Sequence, residues 1–165
     1  MIVRWLSGAL GLLLLAGVVW LLRWDGGVRR GAELVPRVLT LREGERGELS
    51  FVNHERSVAA VAFRVRFDDS IVAIDTAEPT FAGIAEGGNA VLVPTRRGPG
   101  VLEVPGLAVT GSRAFKPTTP LYRFTVRGLA PGATTIAVEG FTVVDASSFA
   151  ERTPDVTPCQ VTVRP

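Results

Sequence analysis

The chain has 165 residues, 18 of them glycine and 11 proline, and a formal charge of +2. That length makes one domain of ordinary size, and from Pro36 onward the turn-forming residues fall so densely that long helices are excluded from the body. Residues 1–30 carry Arg4, Arg23, Arg29 and Arg30 against Asp25, a net of +3, while the other 13 arginines and Lys116 face 15 acids, a net of −1. A body so close to neutral lacks the basic stripe that a nucleic-acid partner requires.

The chain opens on an apolar stretch, Trp5 to Leu22, 18 residues without a charge, close to the ~20 that cross a bilayer as a helix. Trp5, Trp20 and Trp24 stand near its ends, where an amphipathic ring prefers the headgroup zone. A cleaved secretory signal is disfavoured, because "VVWLLRWDGG" offers bulky residues where small ones are required. Lipidation is excluded on the lipoprotein route, since Val18 stands where the lipid-bearing cysteine belongs. Residues 1–24 are therefore expected to form a membrane anchor or an uncleaved signal, and residues 25–32 a linker. More arginines follow the span than precede it, which by the positive-inside rule alone leaves the body in the cytoplasm; the fold read below points to the other side.

From Glu33 the sequence predicts short strands separated by turn residues. The first are "ELVPRVLTL" and "GELSFVN", parted by the charged turn "REGER". In "VAFRVRF", Val61, Phe63, Val65 and Phe67 face one way and Ala62, Arg64 and Arg66 the other. Asp68–Ser70 is a corner, its short polar side chains able to bond to the backbone two residues on, and "IVAID" resumes the strand. Further strands are expected at 90–93, 101–104, 107–110, 121–127, 134–139, 141–144 and 160–164, with "APG" at the tip of a turn. The segments "PTRRGPG" and "GSRAFKPTTP" are expected to be loops.

Two stretches, "AVAFRVRFDDSIVAIDTAEP" and "PLYRFTVRGLAPGATTIAVEGFTVVDA", resemble the cohesin-like domain. The match rests on the aromatic–acidic corner Phe67, Asp68, Asp69, Ser70 and Ile71 and on the late hairpin from Phe124 to Ile136. The resemblance covers about residues 33–165 and implies an all-β fold, a nine-stranded jelly-roll β-sandwich, here preceded by one N-terminal transmembrane helix. It also implies a non-catalytic module that binds a protein, dockerin or another, without a cofactor; relatives bind carbohydrate. Well-known members place Asn and Asp, which contact the partner, where this chain has Ala60 and Ala62. The expected location is the cell envelope, with the sandwich extracellular or periplasmic, or secreted if the leader is cleaved.

Alternation in the late strand sends Tyr122, Phe124 and Val126 inward and Arg123, Thr125 and Arg127 outward. The family's topology makes this strand a neighbour of the early one, which sets Arg64, Arg66, Arg123 and Arg127 on one sheet face. Such a cluster is either balanced by Glu103 or Glu139 as a solvated face, or receives a carboxylate-rich protein segment or an acidic polysaccharide through the guanidinium fork. Other candidates read as structural. The lone cysteine, Cys159, forms no internal disulfide or cysteine-built zinc site and is expected as a partly buried thiol. Asp68 and Asp69 lack a nearby third acid for a metal, and the only histidine, His54, is expected in an exposed loop, so neither a metal site nor a catalytic triad is predicted. The body from Asp25 onward has one tyrosine and no tryptophan, which argues against stacking on sugars. The rivals to protein adhesion are a carbohydrate-binding module and a structural spacer within an envelope complex.

Overall fold

The computed structural model describes residues 31–81, 84, 88–110 and 114–165. The expected membrane helix, and the linker as far as Arg30, lie outside these residues. Among the described residues no helix is long and apolar enough to cross a bilayer.

The regular elements among the described residues are thirteen strands: β1 (Ala32–Val35), β2 (Val38–Arg42), β3 (Arg46–Asn53), β4 (Val58–Arg66), β5 (Val72–Pro79), β6 (Ala90–Val93), β7 (Arg96–Gly98), β8 (Val101–Val109), β9 (Thr119–Gly128), β10 (Gly132–Asp145), β11 (Glu151–Arg152), β12 (Val156–Thr157) and β13 (Cys159–Arg164). A five-stranded sheet runs in the order β12-β1-β3-β9-β5, and an eight-stranded sheet in the order β2-β13-β10-β4-β8-β6, with β7 alongside β8 and β11 alongside β10. The pairs β1–β12 and β2–β13 are parallel and the rest antiparallel.

The expected all-β sandwich is present, divided differently from the nine strands implied. "ELVPRVLTL" does not form one strand: it breaks at Pro36 and Arg37, and β1 and β2 join opposite sheets. A proline cannot donate to a ladder, so a strand that changes sheet does so at little cost there. Conversely, 101–104 and 107–110 are one strand, β8, and 134–139 and 141–144 are one strand, β10. "PTRRGPG", expected as a loop, contains β7.

Alternation sets the core. Val61, Phe63 and Val65 of β4 are buried, as are Tyr122, Phe124 and Val126 of β9. Phe51 lies between Phe63 and Phe141, with ring centroids at 4.6 and 5.1 Å, and Phe63 meets Tyr122 edge-on at 5.4 Å. These rings come from both sheets; each fully buried one contributes roughly 1.5–3 kcal/mol relative to exposure, with about 0.5–1.5 kcal/mol more from ring-pair geometry.

The acidic corner forms as expected. Asp68 Oδ1 accepts from the Ser70 amide at 3.0 Å and the Ser70 hydroxyl at 2.5 Å, and the Asp68 carbonyl accepts from the amides of Ile71 and Val72. The Ser70 hydroxyl and amide hold the Asp68 carboxyl below its ordinary range. Cys159 faces the core of β13 fully buried, and burial pushes its thiol up to about 11.

Candidate functional site

The four arginines do not share a face. β4, which carries Arg64 and Arg66, lies in the larger sheet, and β9, which carries Arg123 and Arg127, lies in the smaller one. Outward residues of the two sheets of a sandwich point in opposite directions. The neighbours of β4 are β10 and β8, and those of β9 are β3 and β5, a topology that one sequence does not display.

Each pair meets acids on its own sheet. Arg64 bonds Glu103 at 3.0 Å, and Arg66 bonds Glu139 at 3.2 Å, the compensation that the sequence offered as the simpler reading. On the far side, Arg127 bonds Asp75 through Nε and Nη2 at 3.1 to 3.2 Å, and Arg46 bonds the same carboxylate at 2.9 Å. Arg46 and Arg127 stand directly opposite in the ladder, so Asp75 offsets a like-charge contact, and those guanidiniums hold its carboxyl below the ordinary range. Arg123 faces Ser50 and Glu78 in register.

A bulge explains Asp75. The ladder of β5 with β9 jumps from Ile74 to Thr76, so Asp75 and Thr76 both project outward, Thr76 bonding Thr125 across the strands at 2.8 Å, before Ala77 turns back to the core.

Two further bulges shape the face around Arg64. Along β10 the pairing with β4 skips between Glu139 and Thr142, and along β8 it skips between Val104 and Leu107. Gly140 sits at φ 59, the left-handed glycine that one bulge type requires; Pro105 and Gly106 fill the other. Both neighbours of β4 thus buckle at the level of Ala62 and Phe63. The result is a shallow cavity of about 290 Å³ lined by Ala62, Phe63, Arg64, Arg96, Glu103, Val104, Pro105, Glu139 and Gly140.

One border of this concavity is a row of alternating charge across four strands. Glu139 of β10 faces Arg64 of β4, Arg64 faces Glu103 of β8, and Glu103 faces Arg96 of β7. Arg64 and Glu103 keep 49% and 38% of their side-chain surface exposed, so the pairing adds at most about 1 kcal/mol to stability and leaves its donors and acceptors accessible. On the other side lie small apolar residues in register, Val144, Ala60, Ala108 and Val91. Sequence reasoning found Arg64, Arg66, Glu103, Glu139 and the alanines, and missed Arg96, which it assigned to a loop.

A second polar cluster closes one end of the sandwich. His54, expected in an exposed loop, is only 6% exposed, a correction to that expectation. Its Nε2 lies 2.9 Å from Glu33 Oε1 and its Nδ1 3.4 Å from Thr118 Oγ1, while Arg37 bonds the same Glu33 at 2.7 Å. Pairing of β1 with β3 sets Glu33 beside the end of β3, a long-range contact with no local signature. With both ring nitrogens engaged and the ring enclosed, His54 ties β1 to the turn before β9. Nearby, Arg152 bridges Glu55 at 3.0 Å and Asp145 at 3.5 Å. Among the described residues no group of three or more His, Cys, Asp or Glu side chains could hold a metal ion.

No family model and no curated protein matches the sequence. Solved structures do. The sixth cohesin of scaffoldin B from Acetivibrio cellulolyticus, in complex with a dockerin, superposes with a TM-score of 0.62 at 11% identity over 81% of this chain and 98% of that one. A type I cohesin–dockerin complex from Clostridium thermocellum gives 0.62 at 10% identity over 83% and 96%. A non-cellulosomal cohesin from the archaeon Archaeoglobus fulgidus gives 0.61 at 5% identity over 82% and 92%. The described residues form a cohesin-like domain, in fold.

Proposed function

We propose that this protein is a non-catalytic, membrane-anchored binding module whose sandwich lies outside the cytoplasm and whose concave face receives another protein, dockerin or one of comparable kind. The observation that carries this reading is the pair of bulges flanking β4, which opens a concavity on the strand where the cohesin resemblance puts the partner contacts. Solved structures of the same fold include cohesins bound to dockerins. Ala60 and Ala62 offer no side-chain hydrogen bonds, so recognition falls to the charged row and to apolar fit. The complementary partner carries a small apolar surface flanked by carboxylates for Arg64, Arg66 and Arg96 and by a cation for Glu103 or Glu139; arginine's fork favours bidentate carboxylates. Arg123 and Arg127 lie on the opposite face and do not share in this contact.

The test is capture of a partner from the native envelope fraction by the full chain in mild detergent, followed by titration of the purified pair. Arg64→Glu with Arg66→Glu should weaken binding by about tenfold or more, and Arg123→Glu with Arg127→Glu should leave it unchanged. Equal loss from both pairs, or from neither, removes this face from the reading. Retention by a glycan surface alone would turn it to carbohydrate.

A further inference from the structure

We propose that the end of the sandwich where the chain enters the domain faces the membrane, with the exposed rings of Phe81 and Phe149 seated in the headgroup region of a lipid bilayer. The proposal rests on the reading of residues 5–22 as a membrane anchor.

The entry point is fixed. The Gly31 amide donates to Glu55 Oε1 at 2.7 Å, the Gly31 carbonyl accepts from His54 N at 2.9 Å, and the Ala32 amide donates to the Asp155 carbonyl at 2.9 Å. Eight residues separate Leu22, the last of the uncharged run, from Gly31, and even a fully extended chain of that length reaches only about 30 Å. A span ending at Leu22 therefore brings this end, and not the opposite one with its Asp68–Ser70 corner, to the bilayer surface.

That same end carries the most exposed aromatics of the described residues, Phe81 at 57% and Phe149 at 76%. Both of their loops converge on the start of β4. Ile84, whose amide bonds the Phe81 carbonyl, bridges to Phe115, and Phe115 bridges to Val58; on the other side Asp145 pairs with Val58, and Phe149 N bonds the Asp145 carbonyl. Phe149 is held at φ 56, a conformation that bulky side chains rarely adopt, above a turn in which Asp145 gathers the amides of Ser147 and Ser148. The turn is built to present that ring outward. Arg56 and Lys116 are exposed at the same end, as are the acids Glu151 and Asp155; the two cations are the groups available to lipid phosphates. Apolar rings with flanking cations are what an interfacial lipid contact requires.

The test uses the full chain in vesicles of phosphatidylcholine and phosphatidylglycerol, carrying an environment-sensitive dye at Phe149→Cys, at Phe81→Cys or, at the far end, at Asp69→Cys. Buried Cys159 stays unlabelled in the folded chain. The expected result is co-flotation with the vesicles and quenching by nitroxide lipids several-fold stronger at 149 and 81 than at 69. Co-flotation with equal quenching at all three sites overturns the membrane-facing end and leaves the anchor intact. Failure to float overturns both. Shielding of the 149 dye without lipid quenching assigns this end to a protein contact instead, and overturns the proposal.

Discussion

Tyr122 is packed as a core residue on β9, fully buried and stacked on Phe124 at 6.0 Å between ring centroids, yet its hydroxyl makes no hydrogen bond among the described residues. Burial pushes that hydroxyl up to about 12. Deleting it keeps the ring contacts and removes an unsatisfied donor, so Tyr122→Phe is expected to raise stability by about 1 kcal/mol, read as a higher denaturant midpoint with unchanged slope. Asp145 shows the opposite economy: one carboxylate oxygen accepts from the Ser147 hydroxyl at 2.6 Å and the Ser147 and Ser148 amides at 2.9 and 3.0 Å, which holds the group far below the carboxylate range. A carboxyl depressed by folding adds stability that is complete above its unfolded value, ~3.9, and is lost as pH falls below it. Thermal midpoints should therefore be level near neutral pH and fall below about pH 4, with Asp68 and Asp75 adding to the same slope. Asp145→Asn keeps an acceptor for the turn and should flatten part of that acid limb in a pH series of melting curves. The sequence marked the Asp68 corner because its serine follows two residues on in a known pattern. It hid His54, whose burial depends on Glu33 across a sheet.

At the scale of the strand, period-two alternation placed Val61, Phe63 and Val65 of β4 and Tyr122, Phe124 and Val126 of β9 in the core, and three of the misplaced strand ends share one cause. Each break in phase at Pro105, at Gly140 and at Asp75 is a bulge within a continuous pairing, and a bulge reads in sequence like the end of a strand. The inward residues of β10, Ile136 and then Phe141 and Val143, change parity across Gly140, which is how two expected strands became one. A Cβ at Gly140 meets nothing within 4 Å, so Gly140→Ala carries only the cost of the left-handed backbone, about 1–2 kcal/mol, measurable by chemical unfolding. Relaxation of that bulge should also shallow the concavity and weaken partner binding, whereas Gly98→Ala, another open position away from the bulge, should leave binding unchanged in the same titration.

For the whole molecule, the assignment of strands to sheets decides which side chains share a face, and it was the least legible property. Arg64 and Arg123 have the same local pattern, an arginine between inward apolar residues, and only the order of strands reveals that they look in opposite directions. Cys159 reports on that whole arrangement, because β13 joins β2 to β10. Its thiol should be inert to alkylation near neutral pH and should react only as the sheet opens, so labelling followed by mass spectrometry across a denaturant series should coincide with global unfolding. The three residues of β7 join the two layers. Arg96 borders the concave face, while its neighbour Arg97 crosses to the smaller sheet and donates to the carbonyls of Ile74 at 2.5 Å and Asp75 at 3.1 Å. Consecutive residues of a strand grip opposite layers, so a pull applied at Arg96 would pass as load along β7 into the β5 rim, and both layers would share the strain.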